Sequence, residues 1–220
     1  MHRKRASRNQ VTDSRASRIG PLILAGLLLS AGGCARPSMH AQLDPMHFTN
    51  DRPPIDGAIT VCLTPKLRRR TWNVRDHPFT VQLGQRASVN FESMTKAAFR
   101  EVTTNLDAGC GKPSARPRIT ARIDSANRVL NFDAGRDQVT VVTMTFSIYG
   151  ADNKRLWRET TVGEVITDPV FLIQRHKDAA HSMGQAIRKA INLAYPALLD
   201  SKVLRQAFEP ATFREVEGGN

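Results

Sequence analysis

The chain has 220 residues, 40% of them hydrophobic and 24% charged, a composition ordinary for a folded soluble domain. That length suits one domain, or at most two very small ones, and excludes anything larger. The formal charge is +12; residues 1–33 hold Arg3, Lys4, Arg5, Arg8, Arg15 and Arg18 against Asp13, so the remainder keeps +7, which favours an acidic partner or simply solubility.

Residues 1–18 are polar and basic, and residues 19–33 are uncharged. That second stretch falls short of the roughly 20 apolar residues needed to cross a bilayer. A positive region, a short apolar region and then small residues form the pattern of a secretory signal, with an uncleaved anchor as the alternative. Leu29, Ser30, Ala31, Gly32, Gly33 and Cys34 together resemble the lipobox of bacterial lipoproteins. That resemblance implies cleavage before Cys34 and a diacylglycerol on its thiol, with palmitate among the acyl chains. Several acyl chains make an anchor stable where one is marginal. Ala31 stands where the family prefers Leu. Ala35, rather than Asp, follows the cysteine, which by resemblance to Gram-negative lipoproteins implies the periplasmic side of the outer membrane.

Cys62 and Cys110 remain. In an oxidising compartment two leftover cysteines tend to pair, and two buried free thiols are the alternative. A bridge closing a loop of about 50 residues would stabilise the fold by roughly 4 kcal/mol.

Residues 34–56 contain four prolines among polar residues and read as a tether; residues 57–208 read as the folded part and 209–220 as a loose tail. Residues 58–63 predict a strand and residues 79–83 a short second one. Ala87, Phe91, Met94, Ala98 and Val102 share one helical face. Ile119, Ala121 and Ile123 alternate with Arg118, Thr120 and Arg122, and Val142, Met144, Phe146 and Ile148 alternate with Thr143, Thr145 and Ser147. Residues 150–153 are turn chemistry, and residues 156–166 return as a hairpin partner. A last helix carries Ala179, Met183, Ala186, Ile187, Ala190 and Ala194, to be kinked or ended by Pro196. This order predicts an α+β two-layer sandwich: a mainly antiparallel sheet of 4–5 strands with two helices on one face. Parity then sends Arg118, Thr120, Arg122, Thr143, Thr145 and Ser147 to the other face, as a flat, polar, basic surface.

The sequence holds no G-x-S-x-G, H-E-x-x-H, Walker or G-x-G-x-x-G signature. His176 and His181 lie five residues apart, about 140° around a helix, which is poor geometry for one metal. No catalytic residues, metal or cofactor are assigned. Lys66, Arg68, Arg69, Arg70 and Arg75, with Trp72 among them, read as a basic loop able to hold an anion through arginine contacts and stacking. Arg118 and Arg122 are the second candidate. The competing readings are a solvated loop and a solvated face. Nucleic acid is excluded as a partner because the chain is exported.

Residues 140–150, residues 152–157 and the alanine-rich last helix resemble a loose group of Gram-negative accessory lipoproteins of lipopolysaccharide, lipid and exopolysaccharide transport. The resemblance implies a non-enzymatic, lipid-anchored protein that assists envelope assembly or transport, with a membrane protein as partner. The alternative is a periplasmic binding module for an anionic envelope polymer, lipopolysaccharide or polysaccharide.

Overall fold

A computed structural model describes residues 38–49, 52–73, 79–106, 110, 115–129, 138–168 and 175–208. Residues 1–33, read as a signal, Cys34, Arg75 and residues 209–220, read as a loose tail, lie outside the described residues. In chain order the elements are β1 (Ser38–His40), β2 (Ile55–Cys62), α1 (Pro65–Arg68), β3 (Thr71–Asn73), β4 (Thr80–Gln82), α2 (Gly84–Ala98), β5 (Phe99–Asn105), β6 (Arg118–Val129), β7 (Gln138–Tyr149), β8 (Arg155–Thr167), α3 (Arg175–Leu199) and α4 (Lys202–Phe208).

The fold is α+β, built around a five-stranded sheet in the order β5-β2-β6-β7-β8. β6, β7 and β8 are antiparallel hairpin neighbours, whereas β2 runs parallel to both β5 and β6, so the sheet is mixed. The alternating runs behave as their period demands. Ile119, Ala121, Ile123, Val142, Met144, Phe146 and Ile148 are all buried. Each of the larger ones contributes about 2 kcal/mol of hydrophobic stabilisation. Phe91 of α2 packs on Phe146, with ring centroids 5.9 Å apart. α3 lies on β8: Thr161 Oγ1 donates to the Ala190 carbonyl at 2.8 Å. A Cβ on Gly163, which pairs with Val142, would sit 1.8 Å from the Ala186 carbonyl oxygen. Both long helices therefore meet the side of the sheet that carries Val142 and Phe146.

Three elements differ from the sequence reading. The helical stripe expected to reach Val102 stops at Ala98, because the β-branched run Val102, Thr103 and Thr104 pairs with Ile59, Thr60 and Val61 of β2. The stretch read as a tether contributes β1 and buries Ala41, Leu43 and Met46; Gln42 N–H donates to the Ala180 carbonyl of α3 at 3.0 Å. β1 pairs in parallel with β4, and β3 pairs antiparallel with β4, giving a second, three-stranded sheet that the sequence did not announce. Pro196, expected to kink or end the last helix, lies inside it, and the helix continues to Leu199.

Candidate anion-binding site

The basic run after β2 opens with a helical turn, Pro65–Arg68, rather than a loop. Thr64 caps α1, its Oγ1 accepting the Leu67 N–H at 3.2 Å, and Pro65 opens the helix with its φ already set. Leu67 is buried. The Arg70 carbonyl accepts the N–H groups of Leu83 and Gly84, which ties the run to the start of α2. The cations consequently diverge. Lys66 reaches the wall of a cavity, while Arg68, Arg69 and Arg70 are exposed and line none of the described cavities. Trp72 sits in β3, partly buried against the core, so a flexible Trp-bearing arginine loop is corrected to a capped helical turn and a strand.

The second candidate group is brought together by register. Arg118 pairs with Tyr149, Thr120 with Ser147 and Arg122 with Thr145 across β6 and β7. Arg158 pairs with Ser147, and Arg155 with Tyr149, across β7 and β8. All eight positions fall on the face opposite Phe146. A cavity of about 500 Å³ opens between α1 and this corner of the sheet, walled by Lys66, Leu67, Arg118, Thr120, Arg122 and Tyr149 among others. A second cavity, of about 230 Å³, continues it over Ser147, Arg155 and Arg158; the two share Thr120, Arg122 and Tyr149.

The expected flat surface is therefore a cleft, and Arg118 is not on the outside of it. Its side chain is 4% exposed. The guanidinium lies over the Tyr149 ring, 4.8 Å from the centroid, and its NH2 donates to Asn153 Oδ1. Its Nε and NH1 have no hydrogen-bond partner. An unsatisfied buried donor costs about 1–3 kcal/mol, more for a charged group, so this arginine is expensive as it stands. Asn153 holds its position from a tight turn, with φ at 67°, a left-handed conformation that asparagine tolerates better than most residues. The turn is closed by Gly150 N–H to the Lys154 carbonyl at 2.8 Å.

Arg122 pairs with Asp124, whose other carboxylate oxygen accepts the Thr145 hydroxyl at 2.6 Å. Asp124 shares the face of Arg122 by alternation, and the register shift between Ile123 and Ser125 makes it the extra residue of the strand. Lys66, Arg155 and Arg158 form no ion pair among the described residues. Sequence reasoning missed Arg155, Arg158, Tyr149 and Asn153. Arg158 was within reach, since it and Thr160 alternate with Glu159 and Thr161 along β8; Arg155 was not, because alternation sets it opposite Arg158 and the register shift between Ile148 and Tyr149 returns it to this face.

The two cysteines do meet at one end of the sheet, Cys62 ending β2 and Cys110 following β5. The expected disulfide is corrected, however: both are free, buried thiols. Burial first, then the hydrogen bond and charge of Cys110, push the Cys62 thiol up to about 12, against a smaller opposite pull from Arg118. A thiol held protonated is a poor nucleophile for disulfide exchange. Cys110 lines the larger cavity. Among the described residues no three His, Cys, Asp or Glu side chains are grouped to hold a metal.

The fold and this corner define an α+β protein with a basic cleft on the sheet face away from its long helices. No known protein family matches the chain, and no curated protein is similar to it. Among solved structures, a Xanthomonas campestris protein of the DUF330 family is similar at 9% identity and a TM-score of 0.48, over 77% of this chain and 97% of that one. A minor lipoprotein of Acinetobacter baumannii follows at 8% identity and 0.41, covering 66% and 93%. The PelC dodecamer of Paraburkholderia phytofirmans gives 11% identity and 0.39, covering 67% and 91%. With every TM-score below 0.5, these likenesses lend no weight to a function.

Proposed function

We propose that this chain is a lipoprotein anchored through Cys34 on the periplasmic side of the outer membrane, which assists envelope assembly or transport by binding rather than by catalysis. One observation carries the binding role. Lys66, Arg118, Arg122, Arg155 and Arg158 surround two joined cavities, and of these five only Arg122 is ion-paired among the described residues. Unpaired cations around a concavity concentrate positive potential there and draw in anions. The anchor rests on the lipobox-like residues before Cys34. The same cleft favours a second reading, a module that holds an anionic envelope polymer; a stoichiometric membrane-protein partner distinguishes the first reading from it.

The test uses the full chain in its own host. Cys34→Ser should leave an unlipidated, uncleaved precursor. Arg122→Glu with Arg158→Glu should keep the anchor and the fold yet fail to complement a deletion strain. Full complementation by the double charge reversal would overturn the binding role.

A further inference from the structure

We infer that the larger cavity is a site for a phosphate group carried on a small polyol, glycerol or a sugar, and that Arg118 is the residue that grips it. This rests on the cleft being a binding surface and names the chemistry it takes. An arginine has five N–H donors. In Arg118, Nε and NH1 together supply three of them, and none has a partner, although the side chain lines the cavity and is 4% exposed. A buried guanidinium with that many open donors is built for an oxyanion, the group whose charge and acceptor geometry complete it.

Phosphate fits better than carboxylate. Lys66 approaches from α1 while Arg118 and Arg122 approach from β6, so cations stand on two sides of the space. A tetrahedral dianion presents oxygens in both directions; a carboxylate is planar, singly charged and satisfied from one. The volume, about 500 Å³, is in the range of sites for small organic ligands and far beyond what a bare phosphate fills. The rest of the wall mixes the Thr64 and Thr120 hydroxyls with the aliphatic surfaces of Pro65, Leu67 and Ala121, which suits a polyol body. The open nitrogens lie beneath the surface, so binding turns the guanidinium into the cavity, and the Tyr149 ring stacked against it moves with it.

The experiment titrates the lipidated full chain, in detergent, with glycerol 1-phosphate, inorganic phosphate, galacturonate and glycerol. Calorimetry and the Nε resonance of Arg118 are the readouts. Saturable binding of glycerol 1-phosphate, tighter than galacturonate and accompanied by a shift of that resonance, is expected. Arg118→Lys should weaken it about ten-fold, the loss of one charge-assisted contact. Displacement of glycerol 1-phosphate by nanodiscs holding phosphatidic acid, and not by phosphatidylcholine alone, assigns the phosphate to a lipid headgroup; no displacement assigns it to a soluble phosphoester. Galacturonate binding as tightly, no saturation by either phosphate, or unchanged affinity in Arg118→Lys overturns the inference. Should Arg118→Lys fail to fold, the Arg118 resonance in the native chain decides alone, and its failure to move overturns the site. Absent phosphate binding with partner capture by the open face retained would remove this site and leave the broader binding role standing.

Discussion

Arg118 lies across the ring of Tyr149, its Cζ 4.8 Å from the centroid, where the first residue of β6 pairs with the last of β7. The contact explains how a charge with three open donors is tolerated in a wall of the fold. The face of an aromatic ring carries negative potential, and it stands in for part of the lost water.

The ring, not its hydroxyl, should therefore matter. Tyr149→Phe is expected to leave unfolding in urea nearly unchanged. Tyr149→Leu should lower stability by about 1 kcal/mol, the scale of a cation–π contact. Equal effects of the two substitutions would show that the stacking contributes nothing.

Asn153 does two jobs, accepting from Arg118 and bending the chain with φ at 67°. Asn153→Gly removes the acceptor but keeps the turn; Asn153→Ala removes both. The alanine variant should be the less stable by about 1 kcal/mol, the cost of a side chain in the left-handed region. Thermal unfolding of the pair measures it.

The Cys62 thiol gives a pH signature. Its folded value, pushed up to about 12, lies above the ordinary 9.0, so the folded chain binds this proton more tightly than the unfolded chain does. The stabilisation is fully present below about pH 9 and is lost as pH climbs toward 12. Unfolding free energy should fall across that window, and less steeply in Cys62→Ala. Alkylation of native Cys62 near pH 8 should be slow, and slower still in Arg118→Gln, since Arg118 is what pulls the thiol down.

Close contact between β8 and α3 depends on Gly163. A Cβ there would meet backbone, the Ala186 carbonyl at 1.8 Å, whereas one on Gly150 would meet the end of the Asp152 side chain at 2.8 Å. Gly163→Ala should cost about 1–3 kcal/mol, as overpacking does, and Gly150→Ala less. Comparable melting temperatures for the two would contradict this packing.

Much of the sheet was legible because strands repeat every two residues. That period put Phe146 and its alternates inside, and put Thr120, Arg122, Thr145 and Ser147 on the other side. Alternation gives the side of a residue but not its depth. Nothing in the run 118–123 says that Tyr149 and Asn153 will cover Arg118, because those contacts come from a partner strand and a turn about 30 residues on. Helical spacing identified Ala87, Phe91, Met94 and Ala98, all buried, yet ran on to Val102, where pairing with β2 overrides it. β1 escaped notice because its partner β4 lies some 40 residues away, and parallel pairing leaves no local mark. The basic run looked like one patch since charges were close in sequence; a capped turn then sends Lys66 to the cavity and leaves Arg68, Arg69 and Arg70 outside it.

A binding role for the open face is tested most directly by photocrosslinking in membranes, with benzoylphenylalanine replacing either Thr160, exposed on that face, or Leu193, 55% exposed on α3. Adducts from position 160 that disappear with Arg122→Glu and Arg158→Glu, and none from position 193, are the expected result. Adducts from position 193 alone, or adducts from 160 that survive the charge reversal, would contradict it.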